Sequence, residues 1–352
     1  MTSSRALFFA LLIFNLVALM ACGGGLSNNT TPAVTDVFTA GFEKNDAGMG
    51  IAKYWKNNEP HTLGAGVNGS YANSIAVSGN DVYVAGIEGN GLQDVAKYWK
   101  NGVAFELTDG TNRGFANSVF VSGSDVYVAG AEQAPTVTAM YWKNGNRVTL
   151  PDLGEGSLAN SIFVSGADVY VAGWVFKTTQ LDPTHVLKTD VAAYWKNGAL
   201  TTLGDGLTLS VAYSVFVTGG NVYVGGFACQ DNGPDCALAS YWKNGTPVQV
   251  STDRSTAVSS IFVSGADVYF TVNAQNSFGE AWKNQVPLQL TGASGSSAAN
   301  QIAVSGGDVY VGGALVNNSA QAVATYWKNG APVSVTDGTH FATAFALTVV
   351  KH

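Results

Sequence analysis

Charge is scarce in this sequence. Only 12% of its 352 residues are Asp, Glu, Lys or Arg, and the 17 bases are outnumbered by 24 acids. A chain so poor in bases cannot neutralise a run of phosphates, which argues against nucleic acid as a partner. Cysteine occurs three times, too rarely for a disulfide-built scaffold. Proline is also sparse, with nine residues. The four histidines, His61, His185, His340 and His352, are scattered and show no metal-ligand spacing. There is no Gly-x-Ser-x-Gly elbow, no Asp-x-Asp-x-Asp-Gly calcium loop and no Ser-x-Asp-x-Gly-x-Thr-Trp box. These absences leave no catalytic constellation, no metal site and no cofactor to assign. Disorder is excluded in turn, because 46% of the residues are hydrophobic.

Glycine, by contrast, is plentiful at 42 residues, as many short strands joined by tight turns require. The N-terminus differs from the rest. Arg5 is followed by an apolar run from Ala6 to Ala18, broken only by Asn15. The run is short for a membrane span and ends in small residues, as a cleaved export signal does. Leu19-Met20-Ala21-Cys22 comes next. This resembles the lipobox of bacterial lipoproteins, which implies cleavage after residue 21 and acylation of Cys22. Gly23 in the next place is similar to outer-membrane lipoproteins of enterobacteria. Cleavage removes Arg5 and no acid, taking the formal charge from −7 to −8. The segments are therefore a signal peptide over 1–21, a small and polar flexible tether over 22–35, and a folded domain over 36–352.

From Asp36 onward everything repeats. Asp-Val-Tyr-Val-Ala-Gly begins at Asp81, Asp125 and Asp168, with variants at Asp36, Asn221, Asp267 and Asp308. Tyr-Trp-Lys-Asn begins at Tyr54, Tyr98, Tyr141, Tyr194, Tyr241 and Tyr326, and Ala281-Trp282-Lys283-Asn284 is the seventh copy. Its tryptophans lie 44, 43, 53, 47, 40 and 45 residues apart, the length of a propeller blade. Each unit holds four strand-like runs, such as 161–164, 168–172, 191–196 and 199–203. Gly-x joins the first pair and Asn-Gly the third and fourth, both hairpin signals. Asn57-Asn58 and Asn284-Gln285 depart from Asn-Gly, but Asn tolerates the left-handed conformation. Seven four-stranded units predict an all-β, seven-bladed β-propeller. The chain opens on a second-strand motif at Asp36, and 341–349 matches a first strand. The last segment is thus expected to complete the first blade, with Ala344–Val349 against Val37–Ala40.

Val-Tyr-Val-Gly-Gly at 222–226 and 309–313, followed by Tyr and Trp, resembles kelch-type propeller repeats. The chain is also similar to bacterial lipoproteins with Tyr-Trp-Lys-Asn-Gly repeats. The kelch resemblance implies the fold and no ligand, while the lipobox-like Cys22 and the Gly23 after it imply a cell-envelope location at the outer membrane.

The repeat tryptophans are expected between blades as core. The Asp before each second strand is expected to hydrogen-bond its turn backbone. The seven lysines after the tryptophans should form a solvated collar, with attraction to an anionic surface as the alternative. Cys229 and Cys236, seven apart in an exported chain, read as a disulfide, with a metal site as the alternative. Variable connections collect on one face, so recognition is expected there. On that face a long insertion over 173–189 in the fourth blade carries Trp174, Phe176, Lys177, His185 and Lys188, and the fifth blade carries the cysteines. Together they make a candidate ligand face. The favoured function is a monomeric, non-enzymatic binding scaffold held to the membrane by its lipid, with a protein or glycan as partner. The alternative is a surface enzyme acting on a glycan, with carboxylates from several blades converging ~5–9.5 Å apart.

Overall fold

A computed structural model describes residues 34–233, 235–274, 279–292 and 297–352. The expected signal peptide, Cys22 and nearly all of the tether lie outside the described residues. Thr35 already belongs to the first strand, so the fold begins one residue before the expected boundary. Strands β1 to β28, numbered in chain order, form seven four-stranded antiparallel sheets, and no helix occurs among the described residues.

Six blades are each built from four consecutive strands. The first blade is composite, in the order β28 (Ala342–Lys351), β1 (Thr35–Lys44), β2 (Gly50–Lys56), β3 (Glu59–Thr62). Val37 faces Val349 and Ala40 faces Ala346, the expected closure. The ring is shut by a strand from the far end of the chain.

The turns obey their residues. Gly79 has φ 59° in a first-to-second turn, and Asn101 and Gly102 have φ 50° and 83° in a third-to-fourth turn. Where the glycine is missing, Asn58 and Gln285 still take φ 72° and 65°. The register of the two-residue turns forces them there despite the steric cost.

Each inner strand carries a bulge, in six of the seven blades beside the alanine that faces the motif glycine. In the second blade Ala72 pairs with Gly86 and Ser74 with Ala85, skipping Asn73. This explains the glycine. A Cβ on Gly86 would lie 2.0 Å from the Tyr71 carbonyl oxygen, and one on Gly130 would lie 1.8 Å from that of Phe115. The bulge also frees side chains to bind the next blade. Ser74 Oγ accepts from the Val119 amide, Ser118 from Ile162, Ser161 from Val215, Ser214 from Ile261 and Ser260 from Ile302. Gln301 accepts from Leu347, but the next link would fall to Ala346, which has no side-chain oxygen to offer Ile75. A second set runs beside it, from Asn73, Asn117, Asn160 and Asn300 to the carbonyls of Ala116, Ala159, Ala212 and Ala344.

The core lies between the blades, as expected. Six repeat tryptophans are almost fully buried, and Trp282 is half-buried. Inner strands surround a central channel of about 330 Å³. Its wall is uneven. Phe120, Phe163, Phe216 and Phe262 follow one another at ring-centroid distances of 4.9, 5.0 and 4.8 Å, whereas Ala76, Ala303 and Thr348 occupy the equivalent places in the other blades.

Candidate functional site

The two ends of the ring are chemically different. At the end with tight turns, six blades carry the same polar cluster. Asp81 receives Lys100 Nζ at 2.8 Å and Asn101 Nδ2 at 2.7 Å, while Asn101 Oδ1 accepts from the Val82 amide at 2.8 Å. Lys100 Nζ also lies 5.3 Å from the Tyr83 ring centre. Asp36, Asp125, Asp168, Asp267 and Asp308 pair likewise with Lys56, Lys143, Lys196, Lys283 and Lys328 at 2.7–3.0 Å. This corrects one expectation, because the aspartates bind lysine and asparagine side chains rather than turn backbone. The lysines do form a solvated collar at the hairpin edge, with six of the seven ion-paired. Lysine and asparagine contacts hold these carboxyls below the usual carboxylate range. In the fifth blade Asn221 stands where the others have Asp. Asn244 bonds Asn221 at 2.8 Å, and Lys243 keeps only its contact with the Tyr223 ring, 5.4 Å from its centre. Val34 lies at this end, where its carbonyl accepts from the His352 amide.

The other end holds the variable connections. The insertion at 173–189 is not a loop there. It extends the second and third strands into a long hairpin, β13 (Asp168–Asp182) and β14 (His185–Lys196). Trp174 is consequently part of the blade, paired with Leu158 on one side and Ala192 on the other. It is half-buried and packs on a cluster formed by Val211, Phe227 and Cys229 of the fifth blade, with Leu209 and Cys236 at its margin. The neighbouring elaborations thus share one surface. Phe176 meets Trp174 edge-on at 4.7 Å, and Lys188 Nζ sits 4.9 Å over Phe176 while pairing with Glu155 at 2.9 Å. Lys177 donates to the Asp205 carbonyl. Both lysines therefore brace the hairpin against the connections on either side of it. His185 is exposed near the hairpin tip, with Nδ1 2.7 Å from Asp182 Oδ2. Cys229 and Cys236 form a disulfide, with Cα atoms 4.9 Å apart.

Beside the disulfide opens a cavity of about 640 Å³ between the fifth and sixth blades. Leu209, Tyr213, Phe227 and Ala237 give it apolar surface, and Asp235, Ser255 and Asn273 give it polar groups. Tyr213 is 39% exposed, and its ring centre is 6.1 Å from that of Phe227. Burial raises the Tyr213 hydroxyl pKa, and the nearby Asp190 charge adds to the effect. Asp190 lies on β14 opposite Phe176 and is half-buried, which raises its carboxyl pKa. Asp235 bonds Ser255 at 3.0 Å. A smaller cavity of about 460 Å³, lined by Val67, Leu92 and Arg113 among others, lies on the same face between the first three blades.

Tyr213, Phe227 and Asp190 escaped the sequence reading. A signal for Tyr213 was present, because it interrupts the Ala-Asn-Ser pattern of its neighbours. Asp190 had none, since its importance depends on which blade it faces.

No family model matches the chain, and no curated protein matches it. Solved structures do. The β-propeller domain of the Trilobed protease from Pyrococcus furiosus, described as an open velcro, is 12% identical over 86% of this chain and 95% of that one, at a TM-score of 0.53. A puromycin-hydrolysing peptidase of Mycobacterium tuberculosis is 10% identical over 86% of this chain and 52% of that one, at 0.52. The tricorn protease is 8% identical over 89% and 36%, at 0.50. At such identities the likeness shows the fold alone. The class is a seven-bladed propeller similar to propeller domains of peptidases, here closed by pairing of β28 with β1.

Proposed function

We propose that this chain is a lipid-anchored propeller of the cell envelope, at the outer membrane, whose variable-loop face binds a partner. The observation that carries the reading is the cavity beside the Cys229–Cys236 bond, which Trp174 of the preceding blade approaches through the shared cluster. Cavities that are largely apolar with a few polar groups are where ligands gather. Other exposed apolar residues, among them Leu92, Leu181, Val186 and Phe341, stud the same end. Val34, the first described residue, lies at the opposite end. The ion-paired collar there has little positive charge to offer an anionic membrane.

Among the described residues of the cavity lining, the one carboxylate is bonded to Ser255, with no histidine to activate that hydroxyl. This favours binding over hydrolysis. The second reading is a surface enzyme acting on a glycan, and the likeness to peptidase propellers gives it support and widens it to peptides. Crosslinking the native lipoprotein in its own cells separates the readings. One partner captured by wild type and lost in Trp174→Ala is the expected result. Equal capture by both proteins, or turnover of a glycan or peptide by the purified chain, would reject it.

A further inference from the structure

The inner strands line the central channel in two tiers. Strand alternation puts residues two apart on one face, so Ser118 and Phe120, Ser161 and Phe163, and Ser214 and Phe216 follow one another along the channel wall. The tier nearer the variable face is polar. Ser74, Ser118, Ser161, Ser214 and Ser260 each accept an amide N–H of another inner strand at 3.0–3.3 Å. A hydroxyl that accepts keeps its own hydrogen to give, and accepting makes it a better donor. None of these serines donates to a protein group among the described residues. Gln301 sets the sign of the tier. Its Oε1 accepts from the Leu347 amide at 2.8 Å, so the end left over is Nε2 with its two hydrogens. The second tier is mostly apolar and lopsided. Phe120, Phe163, Phe216 and Phe262 form a continuous half-buried arc on the third to sixth blades. The seventh, first and second blades supply only Ala303, Thr348 and Ala76, and these small side chains leave open space opposite the arc. No charged side chain lines the channel among the described residues.

We propose that the channel binds a small organic acid, with its carboxylate on the ring of donors and its apolar body against the phenylalanine arc. This site is distinct from the cavity beside the disulfide and does not depend on it. A carboxylate has several lone pairs to offer one ring of donors, and hydrogen bonds to a charged acceptor are about twice as strong as neutral ones. A cation would face the Gln301 N–H groups, and a purely apolar ligand would cover the donors without satisfying them. The channel volume of about 330 Å³ holds on the order of ten non-hydrogen atoms, at about 30 Å³ for each water-sized group. That is the size of an aryl acid such as phenylacetate.

Calorimetry on the purified mature chain tests this with phenylacetate, its neutral counterpart phenylacetamide, and acetate, which lacks the apolar body. Phenylacetate should bind about tenfold or more tighter than either of the others. The serines are poor positions to mutate, because each also holds a neighbouring strand. Gln301→Glu keeps an acceptor for the Leu347 amide and replaces the free donor with negative charge. It should weaken phenylacetate at least tenfold and leave phenylacetamide nearly unchanged. Ala303→Phe extends the arc into the open space and should abolish binding of both aryl probes while leaving every donor in place. Melting curves verify that the variants are folded, and either variant alone decides the matter if the other is not. Equal affinity for phenylacetate and phenylacetamide overturns the proposal, as does acetate binding as well as phenylacetate. Phenylacetate binding that survives a folded variant unchanged, or no binding of any probe, overturns it too. Partner capture through Trp174 is a separate result, because Trp174 does not line the channel.

Discussion

At the residue scale the same side chain has different weight in different blades. Trp195 is fully buried and donates to the Pro151 carbonyl at 2.7 Å. Trp282 is half-buried, donates to Glu280 instead, and follows Ala281 where the other repeats have tyrosine. Trp195→Ala should therefore cost about 3–5 kcal/mol in denaturant unfolding, and Trp282→Ala clearly less. Equal losses would mean that the exposure difference has no energetic meaning. Asp36 is the best-shielded member of the collar. Lys56 first, then Asn57, with His352 assisting and burial opposing, hold its carboxyl at about 2, below the usual 3.8. Because the folded value is the lower one, the contribution is complete above the ordinary carboxylate range and is lost as pH falls through about 2. Asp36→Asn should lower the melting temperature near neutrality, and the gap from wild type should close as the pH approaches about 2. A gap that stays constant with pH would show that the charge is irrelevant.

At the element scale the strands form because alternating apolar residues meet tight turns that admit one register. The motif glycine adds a constraint that no propensity would reveal. Gly130 lies under the Phe115 carbonyl at the bulge, so Gly130→Ala forces the two strands apart. A loss of about 2–3 kcal/mol is expected, far more than for alanine at an exposed strand position. An unchanged unfolding midpoint would refute the bulge contact. The sixth blade has Val272 opposite Val258 at this place, and the structure offers no account of how it escapes the constraint. The fourth-blade hairpin shows a limit of pattern reading. Residues 173–189 lack the repeat motif and so look like a loop, yet ladder pairing continues from Gly173–Ala193 up to Asp182–His185. Local sequence underdetermines such strands, because pairing with the partner strand supplies their stability.

For the whole molecule, closure is the decisive event. Removing everything from Phe341 onward deletes β28, exposes the edge of β1 and opens the channel. Such a chain should melt at a much lower temperature with loss of cooperativity, and an unaltered transition would disprove a ring that depends on this strand. The joint between the first and second blades should also be the weakest. Ala346 offers no side-chain oxygen to Ile75, and Phe345 stands where asparagine links other blades. Native-state hydrogen exchange should find the Ile75 amide less protected than those of Val119, Ile162 and Val215, which serine hydroxyls hold. Equal protection would count against the missing link.

The sequence by itself determined the number of blades, the strand order, the turn types and the closure, because these follow from a period, a pairing rule and short-range sterics repeated seven times. It also placed the cysteines close enough to join. Tertiary structure alone decided the chemistry of the two faces. Asp81 and Lys100 lie on different strands, and only their register reveals that the collar neutralises itself. Tyr213 and Phe227 of the fifth blade and Ser255 and Asn273 of the sixth meet in one cavity wall only through packing. The physical reason is range. Turns and strand alternation are set by neighbours in the chain, whereas burial, ion pairing and pKa depend on groups brought together across blades.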